Sequence, residues 1–157
     1  MITCTFENGG AASLRHVVVH AIVEKDKKLL LVKRARTLSL EGGKWALPGG
    51  FLGRDETAAQ GALRELKEET GWEGESAEVF LIKTNPDRPH EDRQNVAFNF
   101  IITPTIQTGV RDSESTEVAW ISFDALPSLD SFAFDHGEAI SMYMKHRKSP
   151  MPLPIVV

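Results

Sequence analysis

The sequence predicts an α+β fold, a mixed β-sheet with two helices in a single domain, on three observations. Two apolar strand patterns around a short polar turn open the chain. A capped amphipathic helix follows a Gly/Pro-rich loop, and further strand patterns then lead to a second amphipathic helix. A chain of 157 residues has the size of one domain able to bury a substantial core. One domain is therefore expected over 1–157, with segment 1–14 and a Pro-rich tail, 149–157, peripheral to it.

Each element has its own local reason. "HVVVHAIVEKDKKLLLVKRA" reads as strands over 16–24 and 28–35, joined by a polar turn at Lys25, Asp26 and Lys27 into a hairpin that opens the sheet. Residues 36–55 contain Gly42, Gly43, Pro48, Gly49, Gly50 and Gly53, which predicts a loop with a short strand near 45–47. A helix is expected over 57–70. Thr57 and Gln60 fit a capping box, Ala58, Ala62, Leu63 and Leu66 form the apolar side, and Gly71 stands where a left-handed cap belongs. "SAEVFLIKT", "RQNVAFNFIITP" and "EVAWISF" read as three more strands, the second alternating Val96, Phe98 and Phe100 with Ala97 and Asn99. "DHGEAISMYMKHRK" puts Ala139, Ile140, Tyr143 and Met144 on one side of a second helix near 135–147, after which Pro150, Pro152 and Pro154 force an extended tail.

Composition narrows the function classes. Apolar residues make up 41% and charged residues 25%, ordinary globular usage, and no apolar run approaches the roughly 18 residues of a membrane span. The first residues, "MITCTFENGG", lack a basic segment followed by an apolar core, so a cytoplasmic setting is expected. The single Cys4 cannot form an internal disulfide and has no basic neighbour to activate it. A net charge of −4 argues against a nucleic-acid scaffold, which needs a basic face. A small anionic substrate stays open if metal ions bridge it.

On the first helix Glu65, Glu68 and Glu69 stand at i, i+3 and i+4, so three like charges converge on one patch. Such a cluster is either a solvated acidic face or a site for a hard divalent cation. The Pro48-Gly49-Gly50 loop just ahead of the helix offers backbone carbonyls as further oxygen ligands, which favours the cation.

The spacing Gly50, five residues, Glu56, seven residues, Arg64-Glu65-Leu66-Lys67-Glu68-Glu69-Thr70-Gly71 resembles the Nudix box, G-x5-E-x7-R-E-U-x-E-E-x-G-U, where U is bulky and aliphatic. Trp72 departs from the last position, which bears on local packing alone. "WALPGG" is similar to the family's lead-in, "EVAWISFDALP" to its Glu-x-x-Trp segment, and "FAFDH" to a C-terminal element common among ADP-ribose pyrophosphatase relatives, so the resemblance covers roughly residues 15–147. It implies an α/β/α sandwich, a mixed sheet between helices. It also implies an enzyme that cuts a phosphoanhydride bond in a nucleoside diphosphate linked to another moiety, with Mg2+ or, in its place, Mn2+.

By the same resemblance Glu65, Glu68 and Glu69 with the carbonyl of Gly49 bind metal, while Arg64 and Glu56 hold the cluster in position. Metal ions there would polarise phosphoryl oxygens and activate a water, which is the nucleophile. Arg64 can also be read as a surface partner of Glu68 at i+4. The family takes its general base from a variable loop, and "RDSESTEVAW" presents Glu114 as first candidate and Glu117 as second. For substrate phosphates "NPDRPHEDRQN" supplies Arg88, His90 and Arg93, and the end of the second strand supplies Lys33, Arg34 and Arg36. A solvated loop and a charged strand end explain these equally.

His136 is expected to be a structural residue at a helix N-terminus, and His16 and His20 receive no role. Trp45, Phe51 and Trp120 are either core or stacking surfaces. The expected partner is a small nucleotide, ADP-ribose or a similar nucleotide sugar, with no nucleic acid or membrane and with pairing into a homodimer. (d)NTP or dinucleoside polyphosphate hydrolysis is the alternative within the chemistry. A non-catalytic nucleotide sensor is the alternative of another class, disfavoured because no DNA-binding domain is expected in the short tail after the second helix. Specificity is expected in the loops at 36–44, 84–95 and 108–116.

Overall fold

A computed structural model describes residues 2–87, 94–111 and 113–157. The chain begins with a hairpin, β1 (Ile2–Thr5) and β2 (Ala11–Leu14), that forms its own two-stranded sheet. There follow β3 (Val17–Lys25), β4 (Lys28–Arg34), β5 (Trp45–Ala46), β6 (Gly49–Phe51), α1 (Ala58–Thr70), β7 (Trp72–Lys83), β8 (Val96–Gln107), β9 (Ser115–Ser122), α2 (His136–Lys148) and β10 (Ile155–Val156). These eight strands share one sheet with the path β10-β7-β8-β3-β4-β5, to which β6 adds beside β3 and β9 beside β4. The sheet is mixed, because β3 runs parallel to β8 and antiparallel to β4 and β6. The fold is therefore α+β, as the strand and helix patterns predict.

Period-two alternation decides which helix each strand residue meets. On β3, Val19, Ala21 and Val23 pack with Ala62 and Leu66 of α1, while Ile22 between them packs with Ala139, Ile140 and Tyr143 of α2. β4 does the same with Leu30 against Leu29 and Leu31. One helix thus covers each face, and burying a side chain such as Leu66 completely contributes about 2 kcal/mol. No helix among the described residues is long and apolar enough to cross a membrane.

Local signals set the ends of α1. The Thr57 hydroxyl accepts from the Gln60 amide at 3.2 Å, and the Gln60 side chain accepts from the Thr57 amide at 2.8 Å, the reciprocal pair the sequence predicts. Gly71 closes the helix at φ 73°, and a Cβ there would lie 2.2 Å from the Gly109 carbonyl oxygen, so both conformation and space demand glycine. At the turn after β3, Asp26 and Lys27 adopt φ of 51° and 58°, the mirror-image turn that suits a tight hairpin.

Some elements differ from expectation. The segment 1–14, expected only as peripheral, contains a hairpin that turns through Asn8-Gly9, and β7 starts at Trp72 rather than at 76. Residues 49–51, expected as loop, become β6 because β3 offers them a partner edge. The tail is not wholly peripheral, because Leu153 and Ile155 pack against the core and β10 pairs in parallel with Leu81 and Ile82. β3 and β4 pair only at Glu24–Leu29 and Lys25–Lys28, beside their turn. Beyond that point they part, with β6 entering next to β3 and β5 and β9 next to β4. The candidate site draws on both sides of this fork.

Candidate active site

A cavity of about 380 Å³ is lined from α1 by Glu65, Glu68 and Glu69, from β6 by Gly49, Gly50 and Phe51, and from β3 by Val18 and His20. Arg34, Asn95, Glu114, Phe134 and His136 complete its wall. The elements differ, and the fork in the sheet is what lets them meet.

α1 presents its carboxylates here because Glu69 lies on the buried stripe with Ala62 and Leu66, one turn from Glu65. Glu69 is buried at 7% exposure, and its Oε2 accepts the Gly49 amide at 2.8 Å. The carbonyl of Gly49 faces away from β3. Leu52 donates to Val17 and Ala21 donates to Pro48, so the hydrogen-bonded pairs fall at 17/52, 19/50 and 21/48. Gly49 opposes His20 at an intervening position, where backbone polar groups point outward. No side chain fits at 49, since a Cβ would sit 2.2 Å from the Val19 carbonyl oxygen and 2.6 Å from the His20 ring.

Arg64 ties the other carboxylates together. Its Nη1 donates to Glu65 Oε1 at 2.7 Å and to Glu68 Oε2 at 3.0 Å, and its Nε and Nη2 grip Glu56 at 3.0 and 2.7 Å. Nη2 also reaches the Phe51 carbonyl at 3.1 Å, while the Gly53 amide donates to Glu56 at 2.6 Å. The helix and the loop are thus locked to one guanidinium. The Arg64 hydrogen bond, with help from Gly53, holds the Glu56 carboxyl below its usual range. Glu65 goes the other way: burial pushes its carboxyl up and the negative charges of Glu68 and Glu114 add to this, outweighing the pull of Arg64. Arg64 itself is held more firmly protonated, first by Glu56.

Glu114 and Glu117 part company. The Glu114 carbonyl accepts the Ala35 amide at 2.8 Å, which brings the residue beside Arg34 and into the cavity. The β4–β9 register then shifts between Lys33 and Arg34, and Glu117 falls opposite Lys33 with its carboxylate 3.9 Å from Nζ. Glu117, Lys33 and Arg36 line a different cavity. Among the basic candidates Arg34 lines the main cavity, donating to the Leu40 carbonyl at 3.2 Å and lying 5.2 Å from the Phe134 ring centroid. Arg88, His90 and Arg93 lie outside the described residues.

Of the aromatic candidates Phe51 is at the cavity, 47% exposed and backed by His16 with ring centroids 5.1 Å apart. Trp45 packs against the core, and Trp120 stands edge-on to Trp72 at 5.4 Å. His20, Asn95 and Phe134 are residues of the wall that sequence reasoning missed, and His136 is there although it was expected to be structural only. Alternation along β3 could have placed His20 on the α2 face with Ile22. Its meeting with His136, at 4.4 Å between ring centroids, is a contact across 116 positions that no local pattern shows.

Among the described residues, four lining carboxylates against one lining guanidinium form a donor set of hard oxygens, the kind that suits Mg2+ or Mn2+. Among the described residues no three His, Cys, Asp or Glu side chains converge as a ready-made ion site. Arg64 and the Gly49 amide occupy the oxygens that would have to converge.

Comparison with known proteins gives a consistent set of relatives. A family model described as the NUDIX domain matches residues 14–143. An ADP-ribose pyrophosphatase of Methanocaldococcus jannaschii is 35% identical over 129 residues, which span 82% of this chain and 73% of that protein. The crystal structure of a NUDIX hydrolase from Nitrosomonas europaea superposes with a TM-score of 0.79 at 27% identity, over 99% of this chain and 91% of that one. A bifunctional NMN adenylyltransferase/ADP ribose pyrophosphatase from Francisella tularensis, crystallised in complex with AMP and a manganese ion, gives 0.68 at 27% identity. That match covers 85% of this chain and 42% of the bifunctional one.

Proposed function

Because the chain belongs to the NUDIX family of hydrolases, we propose that it is a Mg2+-dependent pyrophosphohydrolase whose substrate is ADP-ribose or a similar nucleotide sugar. The observation that supports this most is the meeting of Glu65, Glu68, Glu69, Gly49 and Glu114 on one cavity. The ADP-ribose pyrophosphatases among its relatives favour the substrate.

On this reading Glu65, Glu68, Glu69 and the Gly49 carbonyl hold the divalent ions, and Arg64 with Glu56 keeps the helix and loop in the spacing that binding needs. The ions, when bound, supply polarisation of the phosphoryl oxygens and a water of lowered pKa. Glu114 takes the proton as the water oxygen attacks phosphorus, and the anhydride P–O bond breaks toward the leaving phosphate. For ADP-ribose the products are AMP and ribose 5-phosphate. Arg34 binds a substrate phosphate from the opposite wall, backed by Phe134. Glu117 is left out because it faces Lys33 and another cavity. The same reading takes the chain as one cytoplasmic domain that pairs as a dimer, which light scattering checks.

The test is product release from ADP-ribose, other nucleotide sugars, dinucleoside polyphosphates, NADH and nucleoside triphosphates, with Mg2+ or Mn2+. ADP-ribose cleavage that falls by a factor on the order of 10³ in Glu68→Gln, with an unchanged circular dichroism spectrum, is the expected result. Preferential cleavage of a triphosphate or dinucleoside polyphosphate would replace the substrate. An unchanged rate in the variant would remove the metal site.

A further inference from the structure

His136 begins α2, yet its ring reaches away from that helix to the loop that ends at Gly49. The Leu47 amide donates to His136 Nδ1 at 3.0 Å. An amide can only donate, so Nδ1 carries no proton and the imidazole is held with its proton on Nε2. Three residues earlier, the Ala133 amide donates to the Trp45 carbonyl at 2.7 Å. The segment 133–136 therefore runs along one edge of residues 45–47, while β4 pairs along the other. Beyond it, the Pro48 carbonyl is held by the Ala21 amide and the Gly49 amide by Glu69.

The ring of His136 also rests on His20, and His20 rests on Gly49 so closely that a Cβ at 49 would meet its ring. His136 is itself anchored. Its neighbour Asp135, 4% exposed, pairs with the buried Lys83 at 2.7 Å, tying the start of α2 to β7.

We propose that His136 is a positioning residue whose Nδ1 holds the Leu47 amide, and through it the Pro48–Gly49 backbone, so that the Gly49 carbonyl meets the glutamates of α1 around the metal. This rests on the metal-site reading above. A ligand carbonyl on a loop has the freedom of the loop, and an outer contact that removes this freedom typically changes metal affinity 10- to 100-fold. The histidine does not touch the ion. It works through one hydrogen bond.

Because that bond uses Nδ1 alone, two amide substitutions separate it from anything the ring does at Nε2. Asn places an oxygen where Nδ1 stands, whereas Gln places its amide where Nε2 stands. The measurement is Mn2+ affinity of the full chain, read from the free-Mn2+ electron paramagnetic resonance signal without substrate, for wild type, His136→Asn, His136→Gln and His136→Ala.

Expected is a loss of about tenfold or more in His136→Gln and His136→Ala, with His136→Asn within about twofold of wild type. Should the Ala variant fail to fold, the Asn and Gln pair decides. Equal affinity in Asn and Gln, whether both retained or both lost, overturns the proposal, as does retention in Gln alone. A wild-type chain that binds no Mn2+ removes the metal site and this inference together, whereas binding that no variant weakens removes the inference alone.

Discussion

Arg64 and Lys83 each sit among carboxylates, and the two clusters differ in charge balance and surroundings. Lys83 is 9% exposed in its side chain and pairs with Asp135, 4% exposed, so among the described residues the buried part of that cluster is neutral. Its second partner, Glu138, is 67% exposed and belongs to the surface. Arg64 holds Glu56, Glu65 and Glu68 at once, with Glu69 and Glu114 on the same cavity wall or beside it. Among the described residues a surplus of negative charge remains there. A matched pair can be buried, whereas a surplus has to stay solvated, take up protons or meet an outside cation. On the proposed reading, the difference separates a cluster that holds the fold from one that receives metal.

The largest effect is expected at Lys83. Lys83→Met removes the buried cation 2.7 Å from the Asp135 carboxylate, and urea denaturation at pH 7 should show a loss of about 3 to 5 kcal/mol. A loss below about 1 kcal/mol would make this cluster as dispensable as an exposed one.

The cavity cluster should instead answer to metal. At Mg2+ near 100 times Kd, wild type should gain about 2.7 kcal/mol of stability, and Glu68→Gln clearly less, in the same assay. No gain in wild type would say that the surplus charge is merely solvated.

A pH series sharpens the same point. The Glu65 carboxyl is pushed up by burial, so its contribution to stability is fully present below the ordinary carboxyl value of about 4.3 and lost as pH rises through the raised folded value. Metal-free Glu65→Gln should therefore gain in Tm relative to wild type across that rise, and added Mg2+ should reduce the gap. Glu56, held down by Arg64, acts oppositely: its contribution is present above the ordinary value and lost as pH falls through the folded one. A Tm difference for Glu65→Gln that stays constant over the rise would contradict the burial argument. The smallest effect belongs to Glu138→Gln, where an exposed partner of Lys83 is worth less than about 1 kcal/mol.

Local sequence made the Arg64 cluster legible, because Glu56, Arg64, Glu65, Glu68 and Glu69 lie on one loop and one helix whose caps and period are readable. The Lys83–Asp135 pair joins positions 52 residues apart and left no trace in either strand or helix pattern. Glu114 and Glu117 could not be separated for a related reason. Their placement depends on a register shift opposite Lys33 and Arg34, which arises from pairing and not from the segment itself. His20 and His136 meet only because β3 and α2 pack. The strand and helix order was readable from period and turns, whereas β6 and β10 owe their existence to partner edges.

At the outer edge of the sheet, β10 carries a consequence for how copies of the chain treat one another. β7 is twelve residues long, and an open strand edge of that length is a template for another chain's backbone. Part of it is covered by a strand of two residues, with the Val157 amide donating to Ile82 and the Thr84 amide to Val157. The residues before it include Pro150, Pro152 and Pro154, which have no amide hydrogens to offer a neighbour. The outermost strand, two residues long and preceded by these prolines, offers a further strand little backbone to pair with, and it covers Leu81 and Ile82 on the edge of β7.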